Sequence, residues 1–288
     1  MKDLILNADD FGMTLGVNEG IIRGHRDGIL TSTTLMANGP AFDDAVKLAN
    51  ANLTLGVGCH LVLIGGKCVA RTEDVASLVD ADGNLPESLP KLVARLSSGM
   101  ISGKDIAREL RAQIEKIRAA GINPTHLDTH KHTHAHPRVM EALGKVAKEL
   151  GIKRVRKPAE NLHDSWQSMR ADGLGISMQL VAAGAVRAVA PRFRAISRKY
   201  GLMFPDHFLG LAMTGQVSAT ALRGMIDALG EGSTEIMLHP GVSDDDLARS
   251  GTRLREQRET ELAALLDPGV RSALRERGVR LISYRELN

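Results

Sequence analysis

Leu4-Ile5-Leu6-Asn7-Ala8-Asp9-Asp10-Phe11-Gly12 is an apolar run of strand length that ends in two adjacent acids and a glycine. A run that stops at a polar turn and gives way to helical periodicity is how a buried parallel strand with its crossover helix reads. The helical pattern comes next here, at Val17 to Asp27. Working outward, the unit recurs. Further candidate strands lie at Leu30 to Met36, Leu55 to Leu63, Thr125 to Thr129, Arg154 to Arg156, Glu235 to Leu238 and Arg280 to Ile282. Helical patterns lie at Ala41 to Asn50, Ile106 to Ala120, Pro137 to Leu150, Ala219 to Leu229 and Leu254 to Leu266, with Asp105 and Ser218 as candidate caps. Such alternation predicts an α/β fold, and about seven parallel strands suit a distorted (β/α) barrel. No internal repeat or low-complexity linker divides the chain, so residues 1–288 read as one catalytic domain. Residues 158–215 depart from the rhythm. A helical Ala/Val/Arg-rich stretch, Met178 to Arg198, precedes Leu202-Met203-Phe204-Pro205-Asp206-His207-Phe208-Leu209-Gly210-Leu211. A long connection of this kind reads as a lid or substrate-binding insertion, with a plain helix pair over the barrel as the alternative.

With 43% hydrophobic and 25% charged residues the chain can form a sizeable core, which leaves out the disordered and fibrous classes. The net charge of +3 is spread along the chain, and its densest basic region (Arg187, Arg192, Arg194, Arg198, Lys199) is interleaved mainly with apolar residues and a single aromatic, Phe193, so no nucleic-acid partner is expected. Two cysteines, Cys59 and Cys68, are too few for a disulfide scaffold. The N-terminal apolar run is too short for a signal segment, and no stretch is long and apolar enough to span a bilayer. The expected location is cytoplasmic.

Four clusters carry candidate chemistry. Asp9 and Asp10 sit at a strand end, the position that hosts active sites in α/β architectures, and neighbouring acids can share one site only if the backbone turns, which Gly12 makes easy. The run His126-Leu127-Asp128-Thr129-His130-Lys131-His132-Thr133-His134-Ala135-His136 holds five of the ten histidines between a strand and a helix. Imidazole is the commonest metal ligand, so two or three of the five are expected to touch a metal or substrate while the rest orient, cap or face solvent. His60 interrupts an apolar strand, and His239 ends another, where it could act as a general acid. One carboxylate and two imidazoles leave a metal with open positions, the arrangement of a hydrolytic site. Serine-elbow, phosphate-loop and dinucleotide motifs are absent.

These motifs resemble the YdjC-like carbohydrate deacetylases, a family that includes chitooligosaccharide deacetylases. The matching landmarks are Asn7 to Gly12, Gly58-Cys59-His60 and Pro124 to His132, with Gly28 to Thr34 and Met237-Leu238-His239-Pro240 in support. The resemblance implies a distorted barrel related to polysaccharide deacetylases. It implies one divalent metal on Asp10, His60 and His130, zinc first and magnesium, cobalt or nickel as alternatives. It further implies Asp9 as base, His239 as the acid that protonates the leaving amine, and Arg156 as the partner that orients Asp9. The chain departs from the short chitooligosaccharide enzymes at Lys131, where they carry a His, and in its longer, more apolar 158–215 region. That region resembles the hopanoid-associated branch. The implied substrate is then an N-acetylglucosaminyl hopanoid lipid, with Leu202, Met203, Phe204, Phe208, Leu209 and Leu211 lining an apolar cleft and residues 178–211 touching the inner membrane face. A chitooligosaccharide is the alternative substrate, and a homodimer is compatible with this resemblance. Two rival functions are kept: a two-metal phosphoesterase, with Asp128, His126, His132 and His134 as the second site, and a non-catalytic sugar-binding protein.

Overall fold

The computed structural model describes residues 1–160 and 178–288. Its centre is β1 (Lys2–Phe11) in a seven-stranded sheet whose pairings are all parallel. On one side of β1 lie β2 (Ser32–Leu35), β3 (Gly56–Leu61) and β4 (Leu127–Thr129). On the other lie β6 (Gly232–Leu238) and then β5 (His207–Leu209). The last strand, β7 (Val279–Leu281), pairs with Lys2 to Leu4, below the point where β2 takes over at Asn7. Beyond β4 the sheet continues only as bridges, Leu127 to Val155 and Arg154 to Met203, toward the segment that enters β5. The sheet therefore curls into the distorted barrel expected.

β2 and β3 are buried along their whole length and β1 from Leu4 onward, so their sequences do not alternate between apolar and charged faces; the polar residues they carry, Ser32, Thr33 and Thr34 in β2 among them, are buried as well. Helices close the outside. The helix Gly103–Ala119 shows how: Ile106, Leu110, Ile114 and Ile117 recur on one stripe and are buried. Its cap is Ser102, whose side chain accepts from the Lys104 amide, rather than Asp105. Asp105 falls in the first turn and accepts from the Ser77 amide and hydroxyl. Ser218 does cap its helix, Ala219–Asp227, through the Ala221 amide. No helix among the described residues is long and apolar enough to cross a membrane.

The 158–215 region divides. Residues 161–177, a part of the expected lid, lie outside the described residues. From Met178 onward the region is barrel. The expected helix Met178 to Arg198 is two, Met178–Ala188 and Ala190–Tyr200, broken near Pro191 because proline fits a helix start and not its interior. The second packs against Pro137–Glu149 so closely that a Cβ on Gly144 would lie 2.4 Å from the Tyr200 ring. His207–Leu209 is a barrel strand, and Met203 bridges to Arg154. The apolar cleft drawn from this region is mostly core: Leu202 and Leu209 belong to the main core, Phe204 and Leu211 pack against it, Phe208 is buried, and Met203 is half-buried in its bridge. Phe208 and Leu209 also line a cavity, among charged side chains such as Lys157, Arg187, Arg194 and Asp206.

Candidate active site

At the carboxyl end of β1 the register against β2 slips between Ala8 and Phe11. The cause is Asp10 itself, which sits in the left-handed region at φ +70°, a conformation that aspartate adopts more readily than most side chains. The expected turn at Gly12 is present (φ +92°), but it comes after the chain has already bent. Side chains that would face opposite ways on a regular strand are both delivered to the barrel mouth. Asp9 meets Arg156, and Asp10 meets His60 and His130.

His60 on β3 stands in register with Asp128 on β4, so the two side chains share one face. The His60 Nδ1 lies 2.8 Å from an Asp128 oxygen. A carboxylate on one ring nitrogen fixes the tautomer and leaves the lone pair of the other free for a cation. His60 Nε2, His130 Nδ1 and Asp10 Oδ1 then form a triangle with edges of 3.2, 3.3 and 3.4 Å. Donors about 2.0–2.1 Å from a tetrahedral zinc are themselves about 3.3 Å apart, so the triangle has the size of one face of such a site. Asp10 Oδ1 is buried and has no hydrogen-bond partner, an unsatisfied state that a bound cation would relieve. His130 is the most exposed of the three, with its side chain 20% accessible, which leaves an open side.

Charge agrees with geometry. The buried groups around the triangle are rich in carboxylates, Asp9, Asp10, Asp128 and Glu235, set against the guanidinium groups of Arg156 and Arg258, a field that favours a cation. His60 reports the same field. Burial alone would keep its ring neutral, yet Asp128, Asp9 and Asp10 raise its pKa well above the ordinary value. Asp10 moves the other way: burial opposes ionisation, but Arg258 and the two imidazoles hold its carboxyl well below the usual range.

Arg156 is fully buried and grips three acids. Its Nη1 and Nη2 bind the two Asp9 oxygens at 2.7 and 2.6 Å, Nη1 also reaches Asp128 Oδ2 at 2.6 Å, and Nε donates to Glu235 at 2.9 Å. Glu235 in turn accepts from Tyr284 Oη. Asp9, His60 and Asp128 also come close enough to suggest a second ion site. The Arg156 guanidinium already supplies positive charge there. The second site expected for a two-metal phosphoesterase, Asp128 with His126, His132 and His134, is not among the ion-holding groups of the described residues.

His239 succeeds β6 and is buried. Its amide donates to Glu261, whose carboxylate is 4.0 Å from His239 Nδ1, and that nitrogen has no hydrogen-bond partner. Burial pushes His239 down to about 4, against the pull of Asp10 and Asp9. Burial pushes Glu261 up to about 7.

Of the five clustered histidines, His130 alone joins the ligand triangle among the described residues. His126 stacks on Tyr284 at 3.6 Å between ring centres, His132 sits edge-on to Phe208, and His136 caps Pro137–Glu149 by accepting from the Arg138 amide. His134 contacts Thr129 and the Arg156 carbonyl, holding the strand that presents Arg156. Sequence alone does not single out Glu235, Tyr284, Arg258 or Glu261. Their only signal is a polar or charged group inside segments that otherwise read as buried strand or amphipathic helix.

Residues 3–276 match the YdjC-like protein family. The chain is 38% identical over 284 residues to a carbohydrate deacetylase of Geobacillus stearothermophilus, covering 98% of this chain and 96% of that one. It is 33% identical over 284 residues to a chitooligosaccharide deacetylase of Yersinia enterocolitica, with 98% of each covered. A crystal structure from Enterococcus faecalis V583, described as a proposed cellobiose-phosphate cleavage protein, superposes with a TM-score of 0.79 at 26% identity, covering 99% of this chain and 98% of that one. The landmarks at Asp9-Asp10, His60 and His130 are thus carried on a match running almost end to end, and the chain belongs to the YdjC-like protein family.

Proposed function

We propose that the protein is a metal-dependent N-deacetylase that hydrolyses the acetamide of an N-acetylated amino sugar. The observation that carries this is the Asp10–His60–His130 triangle, with the unpartnered Asp10 Oδ1 at one corner and an ionised acid, Asp9, next in the chain. The relatives with deacetylase names lend support from outside the geometry. A divalent ion held by these three residues would supply Lewis acidity toward the amide carbonyl and favour ionisation of water.

The chain's own groups do the rest. Arg156 keeps the Asp9 carboxyl below its usual range, overcoming burial, so Asp9 stands ionised and oriented to take a proton from the attacking water. Water oxygen joins the acetyl carbon, the carbon–nitrogen bond breaks, and nitrogen leaves as an amine only if it gains a proton. His239 is neutral at rest, so it serves as acid only after taking up the proton that attack places on Asp9; it then passes that proton to the leaving nitrogen, with Asp10 and Asp9 favouring its transient charge and Glu261 nearby. Asp128 acts through His60 and not on substrate.

For the substrate, we favour a free oligosaccharide over a glycosyl hopanoid, because most apolar residues offered for a lipid cleft are packed into or against the core, and the cavity that Phe208 and Leu209 reach is lined by charged side chains such as Lys157, Arg187, Arg194 and Asp206. The test is acetate release from N-acetylglucosamine oligomers and from a glycolipid extract, with and without chelator. Release from the oligomers that chelator abolishes and added metal restores is the expected result; release from the extract alone would return the lipid. Asp9→Asn should retain bound metal and lose most turnover, and full activity in that variant would remove Asp9 as the base.

A further inference from the structure

The helix Glu256–Leu266 sends a fully buried guanidinium to the back of the proposed ligand triangle. Arg258 Nη2 donates to Asp10 Oδ2 at 2.6 Å, while Asp10 Oδ1 is the oxygen that faces His60 and His130. The two oxygens of one carboxylate are thus assigned to different partners. The arginine is itself anchored: Nε donates to the Leu254 carbonyl at 3.2 Å, Nη2 also lies 3.5 Å from Met13 Sδ, and Gly241 packs on its stem where a Cβ would approach to 3.0 Å. A charge-assisted bond this short, at a residue held in the left-handed region, fixes both the rotation of the carboxylate and the bend that presents it.

We propose that Arg258 is a positioning residue that limits Asp10 to one-oxygen coordination of the metal, and so sets the coordination number and metal preference of the site. It rests on the ligand triangle proposed above. A carboxylate free to offer both oxygens raises the ligand count and suits larger oxygen-seeking cations such as calcium, whereas one oxygen and two imidazoles suit zinc. Arg258 does this without touching metal or substrate. Sequence distance hides it, since 248 residues separate the pair.

The test uses the full chain stripped of metal and titrated with cobalt, zinc and calcium. In the unaltered protein, cobalt should give the intense visible absorption of a low-coordinate ion. Arg258→Met should weaken and shift that band as Asp10 supplies its second oxygen. Zinc affinity, measured by competition with a chromophoric chelator, should fall by about 10- to 100-fold, the usual effect of removing a partner of a ligand, and zinc preference over calcium should fall with it. Arg258→Lys, which keeps one charged donor, should restore part of the spectrum. If Arg258→Met does not fold, Arg258→Gln, which keeps an amide donor without charge, replaces it with the same expected direction. A cobalt spectrum and zinc affinity unchanged in these variants would overturn the role of Arg258 while leaving the triangle intact. Failure of the unaltered protein to bind any of the three ions would overturn both.

Discussion

The two acids that end β1 are neighbours in sequence and opposites in circumstance. Around Asp9, one guanidinium meets three carboxylates, and Arg156 satisfies both Asp9 oxygens. Around Asp10, Arg258 takes one oxygen and leaves the other buried without a donor, beside two imidazole nitrogens at 3.3 and 3.4 Å. The same residue types thus build a closed half whose acids are all partnered and an open half that wants a cation. Buried polar groups are normally satisfied, so the unpartnered oxygen is where a cation is to be sought. Arg156→Met should test the closed half most severely. It strands Asp9, Asp128 and Glu235 in the interior, and removing one partner of a buried pair typically costs about 3–5 kcal/mol. Denaturant unfolding should show a loss of at least that order, and an unchanged midpoint would mean the acids neutralise themselves by protonation.

How far the two halves can be read from sequence differs too, for physical reasons. β1, β3 and β6 are buried along most of their length, so their apolar runs announce them, and Asp9, Asp10, His60 and His239 stand out as polar residues at the ends or interiors of such runs. β5 does not announce itself: it is three residues long, begins with an exposed histidine and comes after Pro205, so in sequence it reads as part of a lid. The Arg154–Arg156 strand shrinks to bridges and is equally faint. The partners of the acids are least legible. Glu235 is 79 residues from Arg156 and 49 from Tyr284, and a charged residue in a strand or helix defaults to the surface until the fold supplies its counter-ion. Family resemblance, not residue pattern, points to Arg156.

Glu261 sharpens the contrast through pH. Unlike the acids around Arg156, its closest bonds are backbone amides, and burial pushes its carboxyl from 4.5 up to about 7. A carboxyl whose pKa is higher in the folded than in the unfolded chain favours folding fully below 4.5. That contribution disappears as pH rises toward 7, a change on the order of 3 kcal/mol. Glu261→Gln keeps an acceptor for the His239 amide and should flatten the fall in stability between pH 5 and pH 8. A variant that falls as steeply as the parent would show the Glu261 carboxyl titrating near its ordinary value.

On the open half, His130→Ala removes a ligand that is partly exposed and makes few other contacts, so the fold should persist while zinc affinity drops by about a hundred-fold or more. Calorimetry on the metal-stripped variant, with circular dichroism as the check on folding, measures this. Affinity within a few-fold of the parent would place the ion elsewhere.

His136 supplies the smallest effect and the cleanest control. It lies six residues beyond His130 in the same histidine-rich run, but its ring accepts from the Arg138 amide at 3.3 Å and caps the helix Pro137–Glu149. Losing a side-chain cap costs roughly 0.5–1 kcal/mol, and the long bond here argues for the lower end. His136→Ala should therefore lower the melting temperature slightly and leave metal affinity and acetate release alone. A large loss of metal affinity would mean that the histidine run acts as one cooperative metal-binding segment. The single-ligand assignment to His130, and with it the division between the two halves of the site, would then be wrong.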